Sequence, residues 1–156
     1  MTYRAVAAEA GVTQGLVAHH FGTRSDLIRE TLQHVAGQSI ERSELKPASG
    51  LLGDMARDLS KRVRDDAGLE AFQFELALEA RRNPDLAPAA QAIYERYLEA
   101  TADALDSVGV RVSTDVARVV FAALDGLAFQ QLLFDDPQAT DRAIGALIDL
   151  LRPLAS

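Results

Sequence analysis

The chain has 156 residues, contains no cysteine and carries a formal net charge of −7. This length suits one domain, or one compact domain with a small module attached. The lack of cysteine excludes disulfides, Cys-ligated zinc or iron–sulfur sites and a cysteine nucleophile. No apolar run reaches the ~18 residues of a membrane span, and no secretory signal opens the chain. We therefore expect a cytoplasmic protein without a membrane partner.

The acidic charge is unevenly distributed along the chain. Residues 1–36 hold three arginines and three acidic residues, whereas the remainder holds 13 basic and 20 acidic residues. Overall acidity argues against nucleic-acid binding, because a phosphate-binding surface needs cations. The neutral first segment leaves room for a small basic face, and all three histidines (His19, His20 and His34) lie in it.

Clusters of turn residues divide the chain into eight predicted helices, which indicates an all-α fold. In chain order these helices are Tyr3–Ala10, Gln14–His20, Arg24–Ser43, Leu51–Asp65, Leu69–Arg82, Leu86–Val108, Asp115–Phe134 and Ala139–Leu154. Thr23 and Asp26 give the third helix a capping box at its start. Apolar residues cover more than half the circumference of the seventh helix, so it needs packing partners on two sides.

The first two helices and the turn between them form a candidate helix-turn-helix. Thr2 and Thr13 are the predicted N-caps, Gly11 supplies a left-handed turn, and Val12 is expected to fill the corner. The expected inner face consists of Val6, Ala7, Ala10, Val17 and Phe21. Spacing alone supports DNA binding and an ordinary pair of short helices about equally.

One continuous segment carries the most specific pattern in the chain. It reads Val6-Ala7-Ala8-Glu9-Ala10-Gly11-Val12-Thr13-Gln14-Gly15-Leu16-Val17-Ala18-His19-His20-Phe21-Gly22-Thr23-Arg24-Ser25-Asp26-Leu27-Ile28. This run resembles the DNA-binding signature of the TetR family of bacterial transcriptional regulators. The resemblance implies an N-terminal helix-turn-helix at residues 1–36 and a TetR-like C-terminal helical domain for ligand binding and dimerisation at residues 37–156. Beyond the motif, the chain matches the family only in being helical and of suitable length.

The resemblance also implies which residues read DNA. The second helix would lie in the major groove with its N-terminal half at the base edges. Gln14 can pair with adenine, Leu16 can touch a thymine methyl group, and Gly15 lets the backbone approach the duplex closely. The implied DNA-binding residues are Thr2, Thr13, Gln14, Gly15, Leu16, His19, His20 and Arg24.

Two departures from the family pattern affect these expectations. Ala18 stands where relatives often carry a phosphate-binding tyrosine, and His20 replaces the usual tyrosine before Phe21, which makes pH-dependent backbone contacts possible. Family members also have a complete helix before this motif, whereas here Met1 directly precedes the second family helix. We expect that the native protein begins upstream and that this chain is shortened; a remnant module held by the larger domain is the alternative.

The resemblance further implies a homodimer formed by the last two long helices and a small-molecule pocket among the middle ones. The expected dimer contacts are Ala128, Leu132, Ile144, Leu147, Ile148 and Leu151. The expected pocket residues are Phe72, Phe74, Leu78, Tyr94, Tyr97, Phe121, Phe129 and Gln130. Each pocket candidate is also consistent with an ordinary core position. Glu75, Glu79 and Asp125 could bind a cation, although a solvated face accounts for them more simply.

These observations favour a ligand-responsive repressor that binds a pseudo-palindromic operator as a homodimer and is released by an unknown small molecule. The alternative is a dimeric small-molecule-binding helical protein whose truncated DNA reader does not function. An enzyme is not expected, because the chain has no Gly-rich phosphate loop and no nucleophile motif in a strand–turn setting. Adjacent His19 and His20 diverge by about 100° on a helix, so they cannot share one metal ion. No cofactor or metal is expected.

Overall fold

The computed structural model describes residues 2–42 and 45–155, with the backbone alone at residues 32, 35, 36 and 38–42. This part of the chain is helical, and its β structure is limited to one isolated antiparallel bridge between Val110 and Ala155. The helices are α1 Tyr3–Glu9, α2 Gln14–Phe21, α3 Arg24–Arg42, α4 Leu59–Asp65, α5 Ala67–Arg82, α6 Ala87–Ser107, α7 Thr114–Phe134 and α8 Pro137–Leu151. Single 3₁₀ turns occupy Leu52–Asp54, Pro84–Leu86 and Arg152–Leu154. The predicted all-α fold is confirmed.

The largest error in the predicted elements concerns the fourth helix, which was expected over Leu51–Asp65. A 3₁₀ turn comes first, Ala56 then adopts a left-handed φ of 55°, and α4 begins only at Leu59. A left-handed alanine interrupts the helical hydrogen-bond ladder. Met55 and Ala56 are both buried, so the turn places two apolar side chains in the core that a continuous helix would not bring there together. The predicted end of the third helix at Ser43 lies outside the described residues.

The first three helices enclose a small core of their own. Ala7 from α1, Val17 from α2 and Leu27 from α3 are buried together, with Tyr3, Val6 and Phe21 packed around them. The Tyr3 hydroxyl donates a 2.7 Å hydrogen bond to the carbonyl oxygen of Gly22, which ties the start of α1 to the end of α2. Helices α1–α3 therefore form one N-terminal unit, which corresponds to the DNA reader expected from the resemblance and is called the reader below; α3 contributes Leu27 to its core.

Local caps set the geometry of this reader as predicted. Thr2 and Thr13 accept hydrogen bonds from the amides of Ala5 and Leu16, and Gly11 has a φ of 66°. The corner prediction was wrong, because Val12 is 39% exposed and Ala10 is also exposed. Among the described residues, the buried cluster lies on the Val17 side of the turn, so nothing covers these two side chains.

The capping box that starts α3 is complete. The Thr23 hydroxyl accepts from the amide of Asp26 at 3.1 Å, and the Asp26 carboxylate accepts from the amide and hydroxyl of Thr23 at 3.0 and 2.6 Å. Arg29 lies 2.5 Å from the same carboxylate. These hydrogen bonds from Thr23, followed by Arg29, lower the pKa of Asp26 to about 2.

We expect Asp26→Asn to lower the melting temperature at neutral pH, because the amide cannot hold the charged contacts of the capping box. The folded-state pKa is depressed from 3.8 to about 2, so the ionised carboxylate stabilises the fold above about pH 4. That contribution is lost as the pH falls from about 4 to about 2. Thermal melts of both proteins should therefore converge over this range. Asp85→Asn, at an exposed aspartate, is the control, and an equal gap at acidic and neutral pH would contradict the prediction.

The larger core is built around α7, which contacts α4, α5, α6 and α8. This arrangement matches the expectation that α7 needs partners on two sides. The fully buried apolar residues of this core include Met55, Leu59, Val63, Ala104, Leu105, Val110, Ala117, Val120, Leu124, Ala128, Ile144, Ile148 and Leu151. By length and composition alone α7 could cross a membrane, but a core helix passes the same test, and the contacts of α7 are those of a core helix.

The hairpin of α7 and α8 is fixed by buried polar contacts. Asp135 takes a left-handed φ of 47°, and Asp136 then caps α8 by accepting from the amide of Ala139 at 2.9 Å. The buried hydroxyl of Thr140 donates a 2.7 Å bond to the side-chain oxygen of Gln131, whose amide donates to Asp135. Buried polar groups whose hydrogen bonds are all satisfied favour a single arrangement of the chain. This turn therefore holds the two helices in a defined register.

Candidate DNA-reading face and ligand cavity

The N-terminal half of α2 is the most exposed part of the reader. Thr13 caps the helix, and Gln14, Gly15 and Leu16 follow as exposed residues, Leu16 being 53% exposed. An exposed leucine beside an exposed glutamine at a capped helix start offers one apolar and one bidentate polar contact. His19 and His20 are also exposed, one turn further along α2. Thr2 lies apart from this group at the start of α1, where its hydroxyl serves as the N-cap.

Arg24 is held by the larger domain as well as by the reader. Its guanidinium lies 3.5 Å from the Glu79 carboxylate on α5, and its side chain is half exposed. Arg82 also pairs with Glu79, at 3.4 Å. Two of the three arginines in residues 1–36, Arg24 and Arg29, thus have a carboxylate partner within the chain. A phosphate at this site would compete with Glu79 for Arg24.

The junction between reader and larger domain is an apolar contact flanked by polar ones. Ile28 of α3 is buried in a cluster with Leu76 and Ala80 of α5, together with Leu86 and Ile93. Beside it, the Asn83 amide donates a 3.2 Å hydrogen bond to the Ser25 hydroxyl. Helix α3 contributes side chains to the core of the reader and to this cluster. A displacement of α5 would therefore also displace α3 and the reader.

A cavity of about 90 Å³ lies among the middle helices of the larger domain. Its wall is largely apolar and combines α4, α5, α6 and α7. The lining residues are Leu45, Leu59, Arg62, Glu70, Gln73, Phe74, Ala77, Ala90, Ile93, Tyr94, Tyr97, Thr101, Phe121, Leu124, Asp125 and Ala128. An apolar cavity with a few convergent polar groups is the usual form of a small-molecule site.

Aromatic rings form one wall of this cavity. Tyr97 stacks on Phe121 with ring centroids 5.7 Å apart, and Tyr94 meets Phe121 edge-on at 5.8 Å. The Tyr97 hydroxyl donates a 2.6 Å hydrogen bond to the side-chain oxygen of Gln73 on α5. The rings are thus held in place by each other and by α5, which makes the wall preorganised.

Three charged side chains also reach the cavity. The Arg62 guanidinium lies 3.9 Å from the Glu70 carboxylate, and both side chains are largely buried. Burial raises the pKa of Glu70 above its ordinary value, and Arg62 partly offsets that effect. Burial likewise raises the pKa of Asp125. The pKa of Tyr94 is raised by burial and by the negative charge of Asp125.

The structure brings half of the expected pocket residues to the cavity. Phe74, Tyr94, Tyr97 and Phe121 line it. The other four lie elsewhere: Phe72 packs on the Ile28 cluster, Leu78 and Gln130 are exposed, and Phe129 stands edge-on to Phe74 behind the wall.

Three polar residues of the cavity wall, Arg62, Glu70 and Gln73, were missed. Glu70 lies four residues before Phe74, and Gln73 lies four residues before Ala77, so all four residues fall on one side of α5. That spacing was available in the sequence and could have identified both. Arg62 could not have been found in this way, because its position depends on the left-handed turn at Ala56 before α4.

The expected dimer residues divide into buried and partly buried ones. Ala128, Ile144, Ile148 and Leu151 are buried in the core of the single chain. Leu132 and Leu147 are partly buried against the same core. The exposed apolar residues of α7 and α8 lie on other faces and include Val119, Ala122, Phe129, Leu133, Ala146 and Leu150. The 3.6-residue pattern marked the core stripe, and a second apolar stripe beside it is exposed.

The three carboxylates considered for a cation do not meet. Glu79 pairs with Arg24 and Arg82, and Glu75 lies near it around a second, more polar hollow. Asp125 lies on α7 at the main cavity. Over the described residues, no group of three or more metal-ligating side chains converges.

Comparison with known proteins gives consistent matches over the chain. Residues 1–31 match the family described as bacterial regulatory proteins of the tetR family, and residues 48–150 match the tetracyclin repressor-like C-terminal domain. The HTH-type transcriptional regulator CymR of Pseudomonas putida is 28% identical over 160 residues, covering 94% of this chain and 77% of that protein. The crystal structure of the multidrug binding protein EbrR complexed with imidazole superposes with a TM-score of 0.70 at 30% identity, covering 99% of this chain and 83% of that one.

Proposed function

Because the chain belongs to the TetR family of transcriptional regulators, we propose that it is a cytoplasmic, ligand-responsive repressor that binds a pseudo-palindromic operator as a homodimer. One observation carries the proposal: a capped, exposed recognition helix and an apolar cavity are connected by a single helix, α3. Exposed Gln14 and Leu16 supply the base contacts, and Ile28 of α3 is buried against the helix that forms one cavity wall.

Release from DNA follows from this connection. A ligand between α5, α6 and α7 contacts Phe74 and Tyr97 directly, and α5 also carries Glu79 and Leu76, which hold α3. A ligand that binds more tightly when α5 is displaced shifts the population toward readers whose spacing no longer fits the operator. The effect requires differential affinity for the two conformations, not tight binding alone.

The homodimer is supported by the outward face of the α7–α8 hairpin. Val119, Ala122, Gly126, Phe129 and Leu133 follow one another at spacings of three and four residues, so they share a face of α7. All but Gly126 are exposed. A stripe of this length is larger than scattered surface apolar residues, and a second copy would cover it and place two readers on two half-sites.

The test of the function is selection of bound sequences from a random duplex library. We expect the full chain to select a pseudo-palindrome and Gln14→Ala to lose base preference at one position in each half-site, a change of about 1–3 kcal/mol in discrimination. Gln33→Ala, at an exposed glutamine of α3, is the matched control and should leave the selected sequence unchanged. An unchanged motif with Gln14→Ala would show that the recognition helix is misplaced.

One observation favours a second function, a dimeric ligand-binding protein without an active reader. Residues 1–36 carry no net charge, and both Arg24 and Arg29 already have carboxylate partners. The two functions differ in salt dependence, because phosphate contacts release counterions and make affinity fall with salt. Binding to the DNA upstream of its own gene that weakens steeply between low and physiological salt supports the regulator, and absence of binding at low salt supports the second function.

A further inference from the structure

The cavity contains a carboxylate that the protein leaves unneutralised. Asp125 lies on α7 one helical turn after Phe121, and its side chain is largely buried at the cavity wall. Among the described residues it has no hydrogen-bond or ion-pair partner. Burying a charge without a partner is costly, so this position stabilises nothing in the empty protein.

The other charges at the cavity balance each other. Arg62 and Glu70 form a pair at 3.9 Å, which leaves Asp125 as the excess charge of the lining. Glu70 and Asp125 are near enough to influence one another, and the effect is repulsive. An anionic ligand would therefore enter a site of net negative charge, whereas a cation would relieve it.

The aromatic wall favours the same sign of charge. The rings of Tyr94 and Tyr97 each lie within 6 Å of the Phe121 ring, and all three residues line the cavity together with Asp125. Aromatic faces carry a negative quadrupole and attract organic cations, most strongly where water is excluded. The Tyr94 hydroxyl, which has no partner among the described residues, can accept a hydrogen bond from an ammonium group.

We propose that the effector that binds this cavity is a small organic cation, with an ammonium group on an apolar body and Asp125 as its counter-charge. This proposal rests on the proposed function. The volume of about 90 Å³ suits a small body of about one ring. Thr101 and Gln73 add polar contacts at the wall but no charge, so Asp125 determines the charge preference.

The test uses three one-ring probes of equal size and different charge: benzylammonium, benzyl alcohol and benzoate. Dissociation constants for the full chain are measured by calorimetric or NMR titration at neutral pH. We expect benzylammonium to bind at least about tenfold more tightly than the other two. Asp125→Asn should remove that preference and leave benzyl alcohol binding unchanged. Asp103→Asn, at an exposed aspartate of α6, is the control and should behave like the wild type.

Folding does not confound this test. Because burial raises the pKa of Asp125, its ionised form destabilises the fold at neutral pH, and Asp125→Asn should melt no lower than the wild type. The proposal would be overturned if benzoate bound most tightly, if the preference for benzylammonium survived Asp125→Asn, or if no probe bound. The function itself is tested separately, by selection of a palindrome from random DNA, so either can fail while the other stands.

Discussion

Replacing Leu133 and Leu150 together by glutamate is expected to leave the chain monomeric and to weaken operator binding at least about 100-fold. The two leucines are 58% and 76% exposed near the ends of α7 and α8, on the surface proposed for pairing. Two glutamates on each chain would bring four desolvated negative charges into the interface, which costs several kcal/mol. Loss of the dimer removes the second half-site contact, whose contribution to avidity is about 10²–10⁴.

The measurement combines light scattering with operator titration. Helical content should be retained, because both side chains point away from the core formed by Ile144 and Ile148. Leu51→Glu is the matched control, since Leu51 is 62% exposed and belongs to neither α7 nor α8. A double variant that remains dimeric at micromolar concentration would place the interface on another surface.

The sequence predicted the helices and the caps because these depend on local chemistry. Thr13 caps α2 and Thr23 caps α3 through contacts within four residues, and Gly11 adopts the left-handed conformation that its lack of a side chain permits. Helix α2 was predicted for the same reason, since its whole pattern lies in one continuous segment.

The sequence could not separate the two apolar faces of the last helices. Ile144 and Ile148 form the strongest helical stripe of α8, but they pack within the chain, and the weaker outward stripe ending in Leu150 stays exposed. Periodicity reports that a face is apolar and not which molecule covers it. Only the position of α7 next to α8 decides that question.

The cavity was half predicted for a related reason. Aromatic type identified Tyr94 and Phe121, but Phe72 is as apolar as Phe74 and points to the junction instead. Two residues apart on a helix, their side chains diverge by about 200°, so only one could line the cavity. The position of Arg62 depends on the break in the backbone at Ala56. Ala56 is neither a glycine nor a proline, so its residue type did not indicate a break.

The buried contact between reader and larger domain leads to a second prediction with a large effect. We expect Ile28→Ala to destabilise the chain by about 2–5 kcal/mol, because Ile28 is 1% exposed and loses its contacts with Leu76 and Leu86. Leu105→Ala is the matched control: it truncates a fully buried leucine in the larger core, at a distance from the junction, and should cost a similar amount.

The two variants should differ in where the structure opens. Among the described residues, the buried core of the reader consists of Ala7, Val17 and Leu27, so its stability depends on docking of α3 onto α5 and α6. Hydrogen exchange should therefore accelerate chiefly in α1–α3 for Ile28→Ala and chiefly in α4, α6 and α7 for Leu105→Ala. Operator affinity should fall with Ile28→Ala, because a loosely docked reader loses conformational entropy when it becomes ordered on DNA. If hydrogen exchange in Ile28→Ala accelerates equally in all helices, the reader and the larger domain unfold as one unit. In that case the whole chain moves as one rigid body, and the contact between α3 and α5 does not act as a separate hinge.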